Sequence, residues 1–212
     1  LSNSHRKYDI SSLKIVNFGA EMMPSSLLDR ARNELPNIDF RQTFGTTETG
    51  TMTVIQHPEN PLLIKIPNSK IIDSKLYIKS THGMIGYLGE DSPIEDGYFP
   101  SGDVVEEHGD YIRILGRQTD VVNIGGEKVL LTEVEDALLG HPDVQDVVVS
   151  SEKNVIMGNI LVAQIVWNAS SDCKKEIRQY LENKYKKCFI PTKIKVVNEI
   201  PHSTRFKKIR GL

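Results

Sequence analysis

Apolar positions along this chain fall into three successive patterns. The first is an apolar run, "LKIVNFGAE", which ends at a glycine turn and reads as a buried strand. "SSLLDRARNEL" follows. Its Leu27, Leu28, Ala31 and Leu35 share one face at helical spacing, and Pro36 stands just past the end. "IDFRQTFG" reads as a second strand, again closed by a glycine. Strand, helix, strand is the βαβ order of a parallel sheet. Ligands of such sheets gather at the carboxyl ends of the strands, so the turns near Gly19 and Gly45 are expected there.

From Pro61 to Gly116 the pattern shortens. "LLIKI", "SKLYIKS" and "DYIRIL" are brief runs separated by turn-rich stretches such as "GYLGEDSPIEDGYF", which predicts a small antiparallel sheet or barrel. Beyond Arg117 it changes again. "VVNIGGEKVLL" predicts a hairpin bent at Gly125-Gly126. Thr132 and Glu135 read as the capping box of a helix that ends at Gly140 and Pro142. "VQDVVVSS" and "NILVAQIVW" read as strands. "SDCKKEIRQYLENKY" reads as an amphipathic helix with Ile177, Tyr180, Leu181 and Tyr185 on its apolar side, and "KIKVV" as a last strand. The expected architecture is therefore α/β plus α+β. It divides into the end of a βαβ domain at 1–58, a small antiparallel β subdomain at 59–116, and a compact α+β domain at 117–212.

Composition narrows the class. Apolar residues make up 39% and charged residues 25%, as in ordinary globular proteins. No apolar run reaches the roughly 18 residues of a membrane span. The start at Leu1 lacks a Met and an apolar signal core, so the expectation is a piece of a longer chain. Two cysteines, Cys173 and Cys188, cannot build a disulfide framework and suit a reducing cytoplasm. Neither lies near other ligands at zinc spacing, so no structural zinc is expected. Net charge is −2, yet from Cys173 onward 12 Lys and Arg stand against 3 Asp and Glu. Such a basic run is commonly a solvated face or a nucleic-acid arm. Aromatic residues are not interleaved as stacking platforms, which disfavours nucleic acid.

Three stretches carry candidate chemistry. "TFGTTETG" combines glycines, hydroxyls and a carboxylate, groups that suit a phosphate and Mg²⁺, although a polar turn has the same composition. It is no Walker loop, because no lysine follows at the required spacing. In "PSGDVV", Asp103 stands where an aspartate could accept both ribose hydroxyls, or simply close a turn. "GRQTDVVNIGGEKVLLTEVE" reads as a linker, a hairpin and a helix, with glycines that could edge a ligand passage.

Taken in order, "FGTTE", "SGD", "GRQTD…GGEKVLLTEVE" and "PHSTRFKKIR" resemble the carboxyl-terminal portion of the adenylate-forming superfamily. That superfamily comprises acyl-CoA synthetases, peptide-synthetase adenylation domains and firefly-type luciferases. The resemblance covers essentially the whole chain. It implies that Phe44 stacks on adenine, Thr47 touches the α-phosphate and Glu48 holds Mg²⁺. Gly19, Ala20 and Glu21 would line the adenine and acyl pocket, and Asp103 would bind the ribose beside Arg117. Gly125 and Gly126 would edge the tunnel for the pantetheine arm of CoA or of a carrier protein. Residues 117–212 would be a mobile lid, hinged at Thr119. Lys207, six residues after Pro201, would be the catalytic lysine.

Departures from the family pattern are legible too. Phe206 stands where glycine is usual, and Lys208 is a rival to Lys207. No Gly/Ser/Thr-rich phosphate loop with its lysine stands among the 212 residues, so the implied ligase would be inactive as this piece alone. The reaction implied is acid plus ATP to acyl-AMP, then transfer to a thiol. An adenylation domain that loads a carrier protein, or a non-catalytic module binding nucleotide or a partner, are the alternatives.

Overall fold

The structure is a computed structural model that describes residues 6–204, 208 and 209. It is a mixed α/β fold, mostly strands with few helices. The chain divides into two compact units, residues 1–118 and 119–212.

The first unit opens with β1 (Ile15–Phe18), α1 (Ser25–Glu34) and β2 (Asp39–Gln42). β1 and β2 pair in parallel, with Phe18 opposite Gln42. α1 crosses between them and buries Leu28 and Ala31 with Phe40 and Leu62. β1 is only half-buried rather than buried, because its sheet has two strands among the described residues and Ile15 remains open. The "TFG" segment is not a continuation of β2. It breaks at Thr43 and starts a hairpin of β3 (Phe44–Thr46) and β4 (Gly50–Met52).

Next come β5 (Ile55–Gln56), β6 (Leu63–Lys65), β7 (Ser69–Ile72), β8 (Lys75–Ile78), β9 (Phe99–His108) and β10 (Tyr111–Arg117). They form one six-stranded sheet in the order β5-β6-β10-β9-β8-β7, antiparallel throughout. Ile64, Ile66, Leu76, Ile78, Val105 and Ile112 make its core together with Phe44. Burying each such side chain contributes roughly 1.5–3 kcal/mol, which makes this cluster the rigid floor of the unit.

The second unit contains β11 (Val121–Ile124), β12 (Glu127–Leu130), α2 (Leu131–Leu139), β13 (Val144–Asn154), β14 (Gly158–Trp167), α3 (Cys173–Glu182) and β15 (Lys193–Val196). β13 and β14 pair antiparallel, and β15 joins β14 in parallel. α2 and α3 pack Val134, Leu138, Ile177 and Leu181 against Val147, Val149, Leu161 and Ile165.

The capping box expected at Thr132 and Glu135 does not mark the helix start. The helix starts at Leu131 with Leu130 as its N-cap and no side-chain cap. Thr132 thus lies inside the first turn, while the buried Glu135 accepts a hydrogen bond from the Val149 amide at 2.9 Å. The sheet thus takes a share of this carboxylate. α3 is capped as its sequence suggests, with Asp172 accepting from the Lys174 and Lys175 amides. Gly140 stands at the end of α2, where a side chain would meet the Tyr180 hydroxyl. Cys173 and Cys188 are free thiols. No helix among the described residues is long and apolar enough to cross a membrane.

Candidate functional site

β9 is the element that matters most for the first unit. Alternation places Phe99, Ser101, Asp103 and Val105 on one buried face. Two polar residues therefore enter a strand face that is otherwise core. Asp103 is only 4% exposed. Its amide donates to Ser101 Oγ at 3.1 Å. Arg117 lies directly opposite on β10. Its Nε reaches Asp103 Oδ1 at 3.2 Å, and its Nη1 donates to the Ser101 carbonyl at 2.6 Å. Gly102 lies between them at φ 76°, a left-handed conformation that suits glycine.

The other oxygen, Asp103 Oδ2, is buried without a hydrogen-bond partner. Burial pushes the Asp103 carboxyl above the usual range, and Arg117 and Ser101 only partly oppose this. A buried carboxylate oxygen with no donor costs free energy unless a ligand supplies one.

The β3–β4 hairpin carries Thr47 and Glu48 at its tip. Thr46 and Thr49 lock the loop, their hydroxyls 3.1 Å apart and each within reach of the other's amide. Gly45 is explained by the hairpin itself: a side chain there would sit 2.7 Å from the Gly50 carbonyl. Residues 80–87 brace this tip from outside. Ser80 Oγ donates to the Thr49 carbonyl at 2.8 Å, and the Met84 amide to the Glu48 carbonyl at 2.7 Å. The Tyr87 hydroxyl donates to Glu48 Oε1 at 2.9 Å. Glu48's own backbone amide, then Tyr87 and Thr46, hold its carboxyl below the usual range, with Arg117 adding a weaker pull. Glu48, Asp103 and Arg117 therefore share one electrostatic neighbourhood.

Gly19 belongs to the ends of β1 and β2. A side chain there would lie 2.8 Å from the Thr43 carbonyl, so glycine permits the two strand ends to close together. Thr43 donates to the Phe18 carbonyl through both its amide and its hydroxyl. Ala20 adopts φ 66°, left-handed backbone that a non-glycine residue takes only at a cost of about 1–2 kcal/mol. Glu21 is exposed. Phe44, at 9% exposure, is built into the sheet core. A cleft lined by Phe40, Arg41, Gln56 and His57 includes none of these candidates.

In the second unit, Gly125 and Gly126 form the two-residue turn between β11 and β12, at φ 59° and 96°. Both positive values match a type I′ hairpin. The Gly126 amide donates to Asn123 Oδ1, and the Gly125 amide to the Met157 carbonyl. Gly126→Ala is expected to lower stability by about 1 kcal/mol, because alanine at that φ is strained. Urea unfolding with an unchanged midpoint would contradict this. Thr119 is the first residue of the unit and lies in the single turn Gln118–Asp120. Lys207 and Phe206 lie outside the described residues. Lys208 is described, and its ammonium contacts Asp146 and Val147.

Sequence reasoning missed Tyr87 and Asp146. Tyr87 hides in a turn-rich stretch, and Asp146 in an apolar strand where a lone acid signals little.

Residues 133–208 match the family described as the AMP-binding enzyme C-terminal domain. Over 85% of its length the chain is 26% identical to 4-coumarate–CoA ligase 1 of Arabidopsis thaliana, and over 97% it is 26% identical to acyl-CoA synthetase 7 of Caenorhabditis elegans. It spans 37% and 42% of those two proteins. Among solved structures, an anthranilate CoA ligase in complex with anthranoyl-AMP superposes with a TM-score of 0.81 at 23% identity. That match covers 99% of this chain and 45% of that one. An amide bond synthetase from Marinactinospora thermotolerans superposes equally well, at 21% identity over 96% of this chain and 47% of its own. The resemblance to the carboxyl-terminal portion of adenylate-forming enzymes is thus borne out, and the solved structures establish the fold.

Proposed function

We propose, from this kinship, that the 212 residues act as the carboxyl-terminal portion of an AMP-forming acid–thiol ligase of the acyl-CoA synthetase kind. The observation that carries the reading is the buried, unpartnered Asp103 Oδ2 held beside Arg117. A ribose diol supplies the two O–H donors that such an oxygen lacks. Gly19, Ala20 and Glu21 would line the adenine and acyl pocket, Phe44 would stack on adenine with what little of it is exposed, and Thr47 would touch the α-phosphate.

Glu48 would hold Mg²⁺, which neutralises phosphate charge when bound. Its depressed carboxyl suits that role. Among the described residues no group of three or more His, Cys, Asp or Glu is placed to hold a metal. One carboxylate with phosphates and water is the ligation Mg²⁺ favours.

Adenylation brings a carboxylate against a phosphate, so positive charge at the reacting atoms is the main requirement. Lys207 would supply it. The unit 119–212 would then act as a lid that turns at Thr119 and presents Gly125 and Gly126 to the pantetheine arm. That the chain divides between Gln118 and Thr119 supports this reading. CoA is favoured over a carrier protein as the thiol, because the named relatives are CoA ligases. The free cysteines suit a reducing cytoplasm. Without a phosphate loop among them, these residues alone would form acyl-adenylate poorly.

The test is acid-dependent exchange of labelled pyrophosphate into ATP by the whole protein. Exchange that needs a carboxylic acid supports the reading. ATP breakdown to ADP, or exchange indifferent to any acid, would sink it.

A further inference from the structure

Two adjacent lysines, Lys207 and Lys208, stand near the family's catalytic position. We propose that Lys208 is a positioning residue that fastens the carboxyl-terminal tail to β13, and is not the lysine that performs chemistry. The inference rests on the ligase reading above for its kinetic consequence, and on the geometry for the contact itself.

The Lys208 ammonium donates to Asp146 Oδ1 at 2.6 Å and to the Val147 carbonyl at 2.8 Å. Two of its three donors are thereby committed. The pair is mostly shielded, with side chains 22% and 30% exposed. Shielding weakens salt screening relative to a fully exposed pair.

Asp146 is set up to receive this lysine. β13 carries a register shift between Val144 and Asp146, a bulge that re-aims the side chain following it. The Val147 amide also donates to Asp146 Oδ1 at 2.8 Å and fixes the carboxylate. On the tail side, Lys208 bridges antiparallel to His202, and the Ile209 amide donates to the Pro201 carbonyl at 3.1 Å. The two arms of the tail therefore meet at a neck, and Lys208 ties that neck to the unit's central sheet. For Lys208 to reach a substrate it would have to break both contacts and leave Asp146 without its cation.

The experiment uses the whole protein with Asp146→Asn, Lys208→Met, and the reciprocal pair Asp146→Lys with Lys208→Asp. Hydrogen exchange at the Ile209 amide reads the neck. Adenylate formation with 4-coumarate and with octanoate reads the first half-reaction, and transfer from preformed adenylate to CoA reads the second. Each single variant is expected to speed Ile209 exchange and slow adenylation by about tenfold, the effect of losing one charged hydrogen bond, with transfer unchanged. The reciprocal pair is expected to restore both. Unchanged exchange, or equal loss in both half-reactions, would overturn the proposal. So would a reciprocal pair that restores exchange but not adenylation, since Lys208 would then be the reacting lysine. If the wild-type protein shows no acid-dependent exchange of pyrophosphate into ATP, the ligase reading fails, and Ile209 exchange alone decides whether the neck is tied.

Discussion

Lys207→Ala in the whole protein is expected to slow acyl-adenylate formation by about 10²–10³-fold, the loss that follows removal of one group aimed at developing charge. Transfer of the acyl group from preformed adenylate to CoA is expected to continue within a few-fold of the wild-type rate. The asymmetry is the informative part. Attack of one anion on another depends on a cation at the reacting atoms, whereas a thiolate attacking a carbonyl does not need that same cation. Commitment of Lys208 to Asp146 is consistent with the proposal that Lys207 serves the first step. Single-turnover measurements of each half-reaction check this. Equal loss in both would remove Lys207 from its role.

Asp103→Asn is expected to weaken AMP binding by about 10- to 100-fold while leaving stability at neutral pH at or above that of wild type. The opposite signs have one cause. Asp103 carries a charge in a buried site, and one of its oxygens has no donor, which the proposed ribose would supply. Asparagine removes the buried charge and with it the second acceptor. The pH dependence follows from the raised folded-state pKa. Protonation of Asp103 relieves the fold, so its destabilising effect is present at neutral pH and fades as pH falls through the raised value. The same protonation removes the acceptor, so AMP affinity falls across that window, beginning above the 3.8 of an ordinary aspartate. Calorimetry of AMP binding against pH, beside thermal unfolding of both proteins, checks the pair of trends. A variant that loses affinity and stability together would point to a structural role.

Much of this arrangement is legible in the sequence, and the gaps have physical reasons. Long apolar runs report themselves: β13, β14 and α3 fall where the periodicity of "VQDVVVSS", "NILVAQIVW" and "KKEIRQYL" puts them. Gly125-Gly126 is legible because only a turn with two positive φ values asks for that pair. β9 is harder. Proline, serine, glycine and aspartate in "FPSGDVV" read as a turn, yet they occupy a ten-residue strand. Alternation of Phe99, Ser101, Asp103 and Val105 is the signal, and two polar members mask it. The Thr132–Glu135 motif misplaces the helix start for a related reason, since α2 begins at Leu131 and the Val149 amide donates to Glu135. Tyr87 and Asp146 carry no local signature at all. Their roles arise from contacts 39 and 62 residues away along the chain.

The proposed role of the unpartnered Asp103 oxygen is to receive the ribose hydroxyls of an adenine nucleotide. The most direct measurement compares AMP with 2′,3′-dideoxy-AMP for binding to the whole protein, in wild type and in Asp103→Asn. Wild type is expected to prefer AMP by at least about tenfold, and the preference to disappear in the variant. Equal affinity of the wild-type protein for the two nucleotides, or a preference that survives Asp103→Asn, would contradict it.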